Sequence, residues 1–246
     1  MFGLFSRSKK QPQETFDYSF VSVDMHSHIL PGIDDGAQTV EDSVLLIREM
    51  MSVGIKKIIA TPHIMADYYK NNATTINDAL NRLNDHLQTE GIEIPIQAAA
   101  EHYFDEFFVK LIDNNELMLI NNQFVLFELA FTSKPPNLIH TVQRITDKGL
   151  TPILAHPERY PYLTLSEVES LRSWGCRIQT NTIALTGYYG KEVKKSAEAL
   201  VDEGFIDYIS SDMHHPRHAL ALKNTLKMPY LQKLKDGGKL LNLELL

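Results

Sequence analysis

The sequence predicts an α/β domain in which parallel strands alternate with helices, arranged either as a barrel or as a doubly wound sheet. Roughly seven strand-like apolar runs alternate with segments of helical periodicity along the chain. Most of the helical segments stop at a glycine. The length of 246 residues and the hydrophobic content of 43% suit one large domain, because α/β barrels commonly have this size.

The first strand-helix-strand unit can be located from its end signals. The apolar run from Phe20 to Val23 predicts a strand. Thr39, with Asp42 three residues later, is typical of a helix N-cap followed by an acidic first turn. The helix is expected to end at Gly54, and a second, buried strand is expected at residues 57–61.

The same signals predict the remaining elements. Further strands are expected at residues 94–100, 124–127, 151–155, 177–181 and 206–210. Helices are expected at residues 75–90, around 104–111, and at 137–148, 166–174 and 191–203, with a mostly helical tail from Arg217. The acidic, asparagine-rich stretch 113–122 interrupts this alternation and is interpreted as a loop.

Composition excludes several classes of protein. The formal net charge of −7 gives no overall basic surface, so nucleic acid is not favoured as a partner. The single cysteine cannot form an intramolecular disulfide and is compatible with a reducing cytosol. No apolar run approaches the length of a membrane span. We therefore expect a cytoplasmic protein.

Residues 1–16 are expected to form a flexible N-terminal tail, and residues 17–246 a single domain. The tail has no long apolar stretch followed by a cleavage site, so it does not look like a signal peptide. Phe2, Leu4 and Phe5 lie beside basic residues and suit contact with an anionic membrane surface at the inner face of the membrane. A disordered tail is the preferred interpretation.

Two histidines follow the first predicted strand at a spacing that suits a metal site. His26 and His28 are two residues apart, so they share one face if the strand continues to this point. Pro31, Gly32 and Gly36 then turn the chain, and Asp35 lies in this turn, where its carboxylate can reach the same centre. Alone, a His-x-His pair is as readily a pair of structural histidines.

Side chains of the types that bind metals recur at the carboxyl ends of several other predicted strands. The full set at strand ends is His26, His28, His63, Glu101, Glu128, His156, Asp212 and His214. In a parallel barrel these ends meet on one face, which is where active sites are built. Imidazole and carboxylate without thiolate suit zinc, manganese or iron. These ligands are too many for one ion, so we predict a cluster of two or three ions, with Glu101 or Asp212 as a bridging ligand.

A cluster of this kind is suited to phosphoryl chemistry. It can hold a hydroxide in a bridging position and fix the oxygens of a phosphoryl group during in-line displacement. A permanently charged side chain should help to hold the phosphate, and Arg159, three residues after His156, is the first candidate. Arg217 is the second candidate.

Longer motifs carry a resemblance to a known superfamily. Asp24-Met-His-Ser-His28, His28-Ile-Leu-Pro-Gly-Ile-Asp-Asp-Gly36, Thr61-Pro-His63, Ala155-His-Pro-Glu-Arg-Tyr160 and Ser211-Asp-Met-His214 resemble the PHP (polymerase and histidinol phosphatase) superfamily. Within it, they are most similar to the bacterial manganese-dependent tyrosine-protein phosphatases linked to capsular and exopolysaccharide synthesis. The resemblance extends from about Asp24 to His214, nearly the whole domain.

The resemblance implies a fold and a set of site residues. The fold would be a distorted (β/α)7 TIM-like barrel, the PHP fold, with a three-metal cluster. The implied metal ligands are His26, His28, Asp35, His63, Glu101, Glu128, His156, Asp212 and His214. Arg159 corresponds to the phosphate-binding arginine of the family, and Asp35 can serve as ligand or proton donor. The family usually has a second phosphate-binding arginine where Ala221 stands here, and Arg217 is the candidate replacement.

The expected reaction is hydrolysis of phosphotyrosine by attack of a metal-bridging hydroxide on phosphorus. Arg159, Asp35 and His214 are the predicted catalytic residues, and Arg159, Arg217, Tyr160 and Tyr103 the predicted substrate contacts. Tyr68 and Tyr69 also lie near the expected mouth of the site. The expected partner, by resemblance, is the tyrosine-rich cytoplasmic tail of a membrane tyrosine kinase of polysaccharide assembly.

Three other enzyme classes fit the sequence less well. A cysteine-based tyrosine phosphatase needs an arginine six residues after its nucleophile, and Thr182 stands there after Cys176. An amidohydrolase usually needs a bridging lysine at a strand end, and an exonuclease of the PHP type needs a basic groove. A histidinol-phosphate phosphatase, another small phosphoester hydrolase and a non-catalytic, metal-stabilised module that binds a membrane tyrosine kinase remain alternatives.

Overall fold

The strands are parallel and alternate with helices, as the sequence predicts. The computed structural model describes residues 16–246, and the expected tail, with Phe2, Leu4 and Phe5, lies outside this range except for its last residue. The strands are β1 Val23–Ser27, β2 Lys57–Ala60, β3 His63–Ile64, β4 Ile96–Ala98, β5 Glu101–Tyr103, β6 Phe124–Glu128, β7 Thr151–Ala155, β8 Arg177–Asn181 and β9 Tyr208–Ser210. The helices are α1 Val40–Ser52, α2 Ala73–Thr89, α3 Glu106–Asn114, α4 Leu138–Asp147, α5 Leu165–Ser173, α6 Lys191–Glu203, α7 Pro216–Thr225 and α8 Pro229–Gly237.

The strands form two sheets, one with the order β1-β2-β4 and one with the order β3-β5-β6-β7-β8-β9. Two predicted strands are each followed by a further short strand that belongs to the other sheet. Thr61-Pro62 separates β2 from β3, and Ala99-Ala100 separates β4 from β5. Proline lacks the N–H that a central strand donates, which accounts for the break at Pro62. Within residues 16–246 the two sheets do not close into one barrel sheet.

The first and last strands nevertheless lie side by side. The Asp212 N–H donates to the His26 carbonyl at 2.9 Å, and the His28 N–H donates to the Met213 carbonyl at 2.9 Å. Ser27 and Met213 form an isolated parallel bridge. The segment after β9 is therefore hydrogen-bonded to the end of β1, which brings the first and last candidate ligands together.

Helix ends follow the signals in the sequence. The Thr39 hydroxyl accepts from the Asp42 N–H, and the Asp42 carboxylate accepts from the Thr39 N–H, which together form the expected capping box at the start of α1. Two further helices, α2 and α5, begin with capping boxes of the same kind. Part of the stretch 113–122, interpreted from sequence as a loop, completes α3, since this helix runs to Asn114.

A large apolar core packs the helices against the sheets, and a smaller cluster joins the strands. Val23 and Met25 belong to the smaller cluster, whereas the next residue, His26, reaches the candidate site. The pairing of β1 with β2 shifts register between Asp24 and Ser27, an irregularity that redirects side chains at the strand end. No helix among residues 16–246 is long and apolar enough to cross a membrane.

The C-terminal segment ties the strands together at the end opposite the candidate site. The completely buried Asn242 donates to the carbonyls of Val23 at 3.1 Å and Ile209 at 2.8 Å. Its side-chain carbonyl accepts from the Ile209 N–H at 3.2 Å. One amide group therefore satisfies backbone groups of both β1 and β9.

We expect Asn242→Ala to lower the free energy of unfolding by about 2–4 kcal/mol, because it leaves buried backbone groups of two strands without partners. Urea unfolding measures this effect. Asn224→Ala, at an exposed position of α7, is the matched control and should change stability by less than about 0.5 kcal/mol. Equal stability of the two variants would show that Asn242 does not tie β1 to β9.

Candidate metal centre

Every strand-end side chain that the sequence singled out lies in one cluster. Their ligand atoms form three overlapping groups, and the atoms of each group lie within 4.8 Å of one another. The groups are His28, Asp35, His63 and His214; His26, His28 and Glu101; and His63, Glu101 and Glu128. His156 and Asp212 contact the same cluster through Glu101 and the first two histidines. Loops and short strands far apart in sequence thus contribute to one centre.

Glu101 occupies the middle of the cluster. Its Oε2 atom lies 3.3 Å from His26 Nε2, 3.4 Å from His28 Nε2 and 3.1 Å from His63 Nδ1. Its Oε1 atom lies 2.9 Å from His156 Nε2. Burial opposes ionisation of Glu101, but His26 and His63 outweigh it and hold its pKa well below the usual value. The carboxylate is therefore ionised and shared by four imidazoles.

Asp212 provides a second shared carboxylate. Its Oδ1 atom lies 3.4 Å from His26 Nε2 and 3.5 Å from His28 Nε2. Its Oδ2 atom accepts from Asn181 Nδ2 at 2.7 Å and from Arg159 at 3.2 Å. The two oxygens thus face different groups, one toward the histidine pair and the other toward the arginine.

The protonation of the first two histidines leaves a site for a cation. His26 Nδ1 lies 3.0 Å from the Gln179 side-chain carbonyl, and His28 Nδ1 lies 2.8 Å from the Asp34 carboxylate. Both partners are acceptors, so both imidazoles carry a proton on Nδ1. The two Nε2 atoms then face each other at 3.2 Å, beside two carboxylates that favour positive charge there. A metal ion bound at these atoms would supply this charge in place of a second ring proton.

Two further buried atoms of this cluster have no hydrogen-bond partner within residues 16–246. These are His63 Nδ1 and Glu101 Oε2, which lie 3.1 Å apart. Burial opposes protonation of His63 and His28, yet the Glu101 charge raises the pKa of His63 and the Asp34 charge raises the pKa of His28 to about 10. The electrostatic field of these carboxylates therefore favours cations in the site. The donor set of imidazole and carboxylate fits manganese, iron or zinc.

Two of these residues have unusual backbone conformations. His156 has φ 34° and Asp212 has φ 51°, both in the left-handed region that non-glycine residues rarely adopt. Gly36 has a different constraint, because a Cβ atom there would lie 1.9 Å from the His28 carbonyl oxygen. The turn that carries Asp35 can therefore pack against His28 only with glycine at position 36.

The sequence interpretation missed the residues that orient the ligands. Asp34 holds His28 and also accepts from the Gly36 N–H at 2.9 Å, and Asp24 accepts from the Ser211 N–H at 3.0 Å. Gln179 and Asn181 orient His26 and Asp212. Both lie on β8, two residues apart at its carboxyl end, so the alternation used for His26 and His28 would have found them.

Arg159 lies at the edge of the cluster, at the end of a single 3-10 turn, Pro157–Arg159, that follows His156. A cavity of about 500 Å³ opens in front of it and reaches the candidate ligands. Its other lining residues include Tyr68, Tyr69, Tyr103, Phe131, Tyr189, His215 and His218. Tyr69, Tyr103 and Tyr68 thus lie where the sequence analysis expected them.

Two expected substrate contacts lie elsewhere. Tyr160 is 2% exposed and does not line the cavity, because its hydroxyl points inward to His156 Nδ1 at 3.2 Å and accepts from the Leu129 N–H at 2.9 Å. Arg217 is exposed on α7 and also lies outside the cavity lining. Ala221, where the resembling family has an arginine, is buried and adds no charge.

Three other histidines, His86, His102 and His140, lie outside the cavity lining. His102 is buried next to Glu101, with Nδ1 3.0 Å from the Leu126 carbonyl, as expected for a side chain on the opposite face of the strand. His86 and His140 lie within α2 and α4. Among the residues that the structure describes, no lysine lines the cavity, which argues against the amidohydrolase alternative.

A buried cluster of imidazoles and carboxylates at the ends of parallel strands is typical of α/β metalloenzymes. Residues 22–233 match the family described as "Capsular polysaccharide synthesis, CpsB/CapC". The chain therefore belongs to the CpsB/CapC family, which confirms the family resemblance found in the sequence.

Named relatives and solved structures agree with this assignment. The chain is 32% identical over 200 residues to the tyrosine-protein phosphatase YwqE of Bacillus subtilis, covering 78% of this chain and 77% of YwqE. It is 25% identical over 222 residues to the tyrosine-protein phosphatase CpsB of Streptococcus pneumoniae, covering 87% and 88% of the two chains. A crystal structure from work on these two proteins, described as unique metal-dependent tyrosine phosphatases, superposes with a TM-score of 0.76 at 29% identity, covering 83% and 86%.

We expect Asp34→Asn to weaken metal binding about 10- to 100-fold, because an amide cannot accept from both the His28 ring and the Gly36 N–H. Competition with a chelator, followed by elemental analysis, measures the affinity. Asp78→Asn, at an exposed position of α2, is the matched control and should bind metal as the wild type does. Unchanged affinity in Asp34→Asn would remove Asp34 from the support of the site.

Proposed function

We propose that this protein is a metal-dependent protein-tyrosine phosphatase. The observation that carries the proposal is the pair of Nε2 atoms of His26 and His28 that face each other beside Glu101 and Asp212, with Arg159 at the edge of the same cavity. This arrangement suits a group of divalent cations next to a phosphate-binding guanidinium. The tyrosine-phosphatase relatives support the same reaction.

The proposed cofactors are two or three divalent ions, with manganese preferred over iron or zinc. Their proposed ligands are His26, His28, Asp35, His63, Glu101, Glu128, His156, Asp212 and His214. When bound, such ions lower the pKa of water and stabilise the charge that develops on phosphoryl oxygens. Three overlapping groups of ligand atoms support more than one ion.

The chain itself binds and orients the phosphoryl group. Arg159 donates to Asp212 through one nitrogen and has further N–H groups for phosphoryl oxygens. Asp35 is the most exposed candidate ligand, at 52%, and lies 3.5 Å from His214 Nε2 at the cavity entrance. Because a phenol has a pKa near 10, its departure needs little assistance. We assign to the Asp35 carboxylate the relay of a proton from the attacking water to the leaving oxygen.

The fold and cellular setting are part of the proposal. We propose that residues 17–246 form one distorted (β/α)7 barrel of the PHP type, supported by the hydrogen bonds between the end of β1 and residues 212–213. The proposed substrate is the tyrosine-rich cytoplasmic tail of a membrane tyrosine kinase of polysaccharide assembly. With this substrate, we propose that the enzyme acts in the cytoplasm, and at the inner face of the membrane when it meets the kinase tail.

Metal removal and reconstitution test the activity. We expect the stripped protein to be inactive, and the manganese-loaded protein to release phosphate from a phosphotyrosine peptide faster than from histidinol phosphate. Metal content is counted on the same samples. Preference for histidinol phosphate would assign the site to small-molecule hydrolysis, and no turnover of either with metal bound would favour a non-catalytic module.

Replacement of Arg159 tests the phosphate contact. We expect Arg159→Ala to lower kcat/KM for the phosphotyrosine peptide about 100- to 1,000-fold while metal content is unchanged, since it removes charged donors from the developing phosphoryl charge. Arg48→Ala is the control, because Arg48 is exposed and pairs only with Glu90 in the described structure. Unchanged turnover would remove Arg159 from the mechanism.

A further inference from the structure

The guanidinium of Arg159 contacts two aromatic rings. Its Cζ atom is 4.5 Å from the ring centroid of Phe131 and 4.5 Å from that of Tyr189. Contacts of this length are cation–π interactions, and two such contacts together restrict the movement of the guanidinium. The donors along its edge therefore have a fixed direction, with one of them on Asp212.

The two rings differ in their access to the cavity. Tyr189 is the inner ring, with Asn181 Nδ2 3.4 Å from its hydroxyl, and it therefore acts as a positioning residue for Arg159. Phe131 is the outer ring, and it is 42% exposed and lines the cavity. One face of Phe131 covers Arg159, and part of the ring remains open to the cavity.

The loop that carries Phe131 is fixed by two tyrosine hydroxyls. The Leu129 N–H donates to the Tyr160 hydroxyl at 2.9 Å, and the Tyr162 hydroxyl donates to the Ala130 carbonyl at 2.6 Å. The Phe131 ring also stacks on His156, with centroids 6.0 Å apart and planes 24° apart. The exposed ring is thus ordered before any ligand binds, so a ligand that stacks on it loses little conformational entropy.

This inference rests on the proposed phosphatase function. A phosphoryl group bound by Arg159 is next to the Phe131 ring, because the guanidinium and the ring are in contact. The group esterified to that phosphoryl then leaves the cavity past the exposed part of the ring. We propose that Phe131 is a specificity-determining residue whose exposed part packs against the phenyl ring of an aryl phosphate monoester and so distinguishes it from an alkyl one.

Two phosphonates separate ring binding from leaving-group reactivity. Benzylphosphonate carries a phenyl ring at the distance of an aryl ester, and methylphosphonate has the same headgroup without the ring. Their dissociation constants are measured by calorimetry on the manganese-loaded protein, so the measurement does not depend on turnover. We expect the wild type to bind benzylphosphonate about 5- to 10-fold more tightly than methylphosphonate.

We expect Phe131→Leu to remove this preference by weakening benzylphosphonate about 5- to 10-fold and methylphosphonate less than about 2-fold. Phe131→Tyr should retain the preference, because it keeps the ring. Phe107→Leu on α3 is the matched control, since Phe107 is 37% exposed and lies outside the cavity lining. Metal content and circular dichroism establish that each variant is loaded and folded.

Three other results overturn the inference, and they differ in what they say about the proposed function. Equal weakening of both phosphonates in Phe131→Leu would show that Phe131 acts only through Arg159, and the phosphatase function would stand. A wild type that binds the two phosphonates equally would show that Phe131 does not select for a phenyl ring, and the phosphatase function would again stand. A wild type that binds neither, with metals present, would overturn the phosphate site itself.

Discussion

The buried carboxylate of Glu101 is the interaction on which the rest of the site depends. One of its oxygens faces three histidines and the other accepts from a fourth. A buried charge is costly unless it is paired, and here four imidazoles from three parts of the chain, at β1, β3 and the end of β7, supply the partners. Because these three parts lie far apart in sequence, the Glu101 carboxylate can keep its charge while buried only when the parallel strands have assembled around it.

Two residues of the site have backbone conformations that are energetically unfavourable. His156 and Asp212 adopt left-handed backbone conformations, each of which is unfavourable by roughly 1–3 kcal/mol for a residue with a side chain. The backbone hydrogen bond from Asp212 to His26 and the contact of the His156 N–H with Gln179 hold these conformations. A cation bound only by the folded chain would offset such costs, since binding to the native state alone stabilises it.

Much of this arrangement could be predicted from the sequence, because its signals are local. Apolar runs ending in a histidine or carboxylate located the strand ends, and Thr39 with Asp42 located the start of α1. The break of two strands at Pro62 and at Ala99-Ala100 and the register shift after Asp24 were not predicted, because pairing between strands determines them. The inward direction of the Tyr160 hydroxyl likewise depends on Leu129, which is distant in sequence.

The supporting polar groups were harder to predict than the ligands. Gln179 and Asn181 have neither charge nor an imidazole, so a search for metal-type side chains passes over them, although their spacing on β8 is the same as that of His26 and His28. Asp34 was overlooked because Asp35 beside it was the better candidate ligand, yet only Asp34 is buried. Position on a strand, and not residue type alone, therefore identifies the groups that orient a metal centre.

The cavity presents one permanently charged side chain to a phosphate. Among the lining residues in the described part of the chain, Arg159 is the single arginine or lysine, since Ala221 and the exposed Arg217 contribute no charge there. Its two ring neighbours reduce the contact of the guanidinium with water, and a charge acts more strongly where less water is present. The remaining phosphate charge then has to be balanced by the metal ions, which makes phosphate affinity dependent on an intact Glu101 cluster.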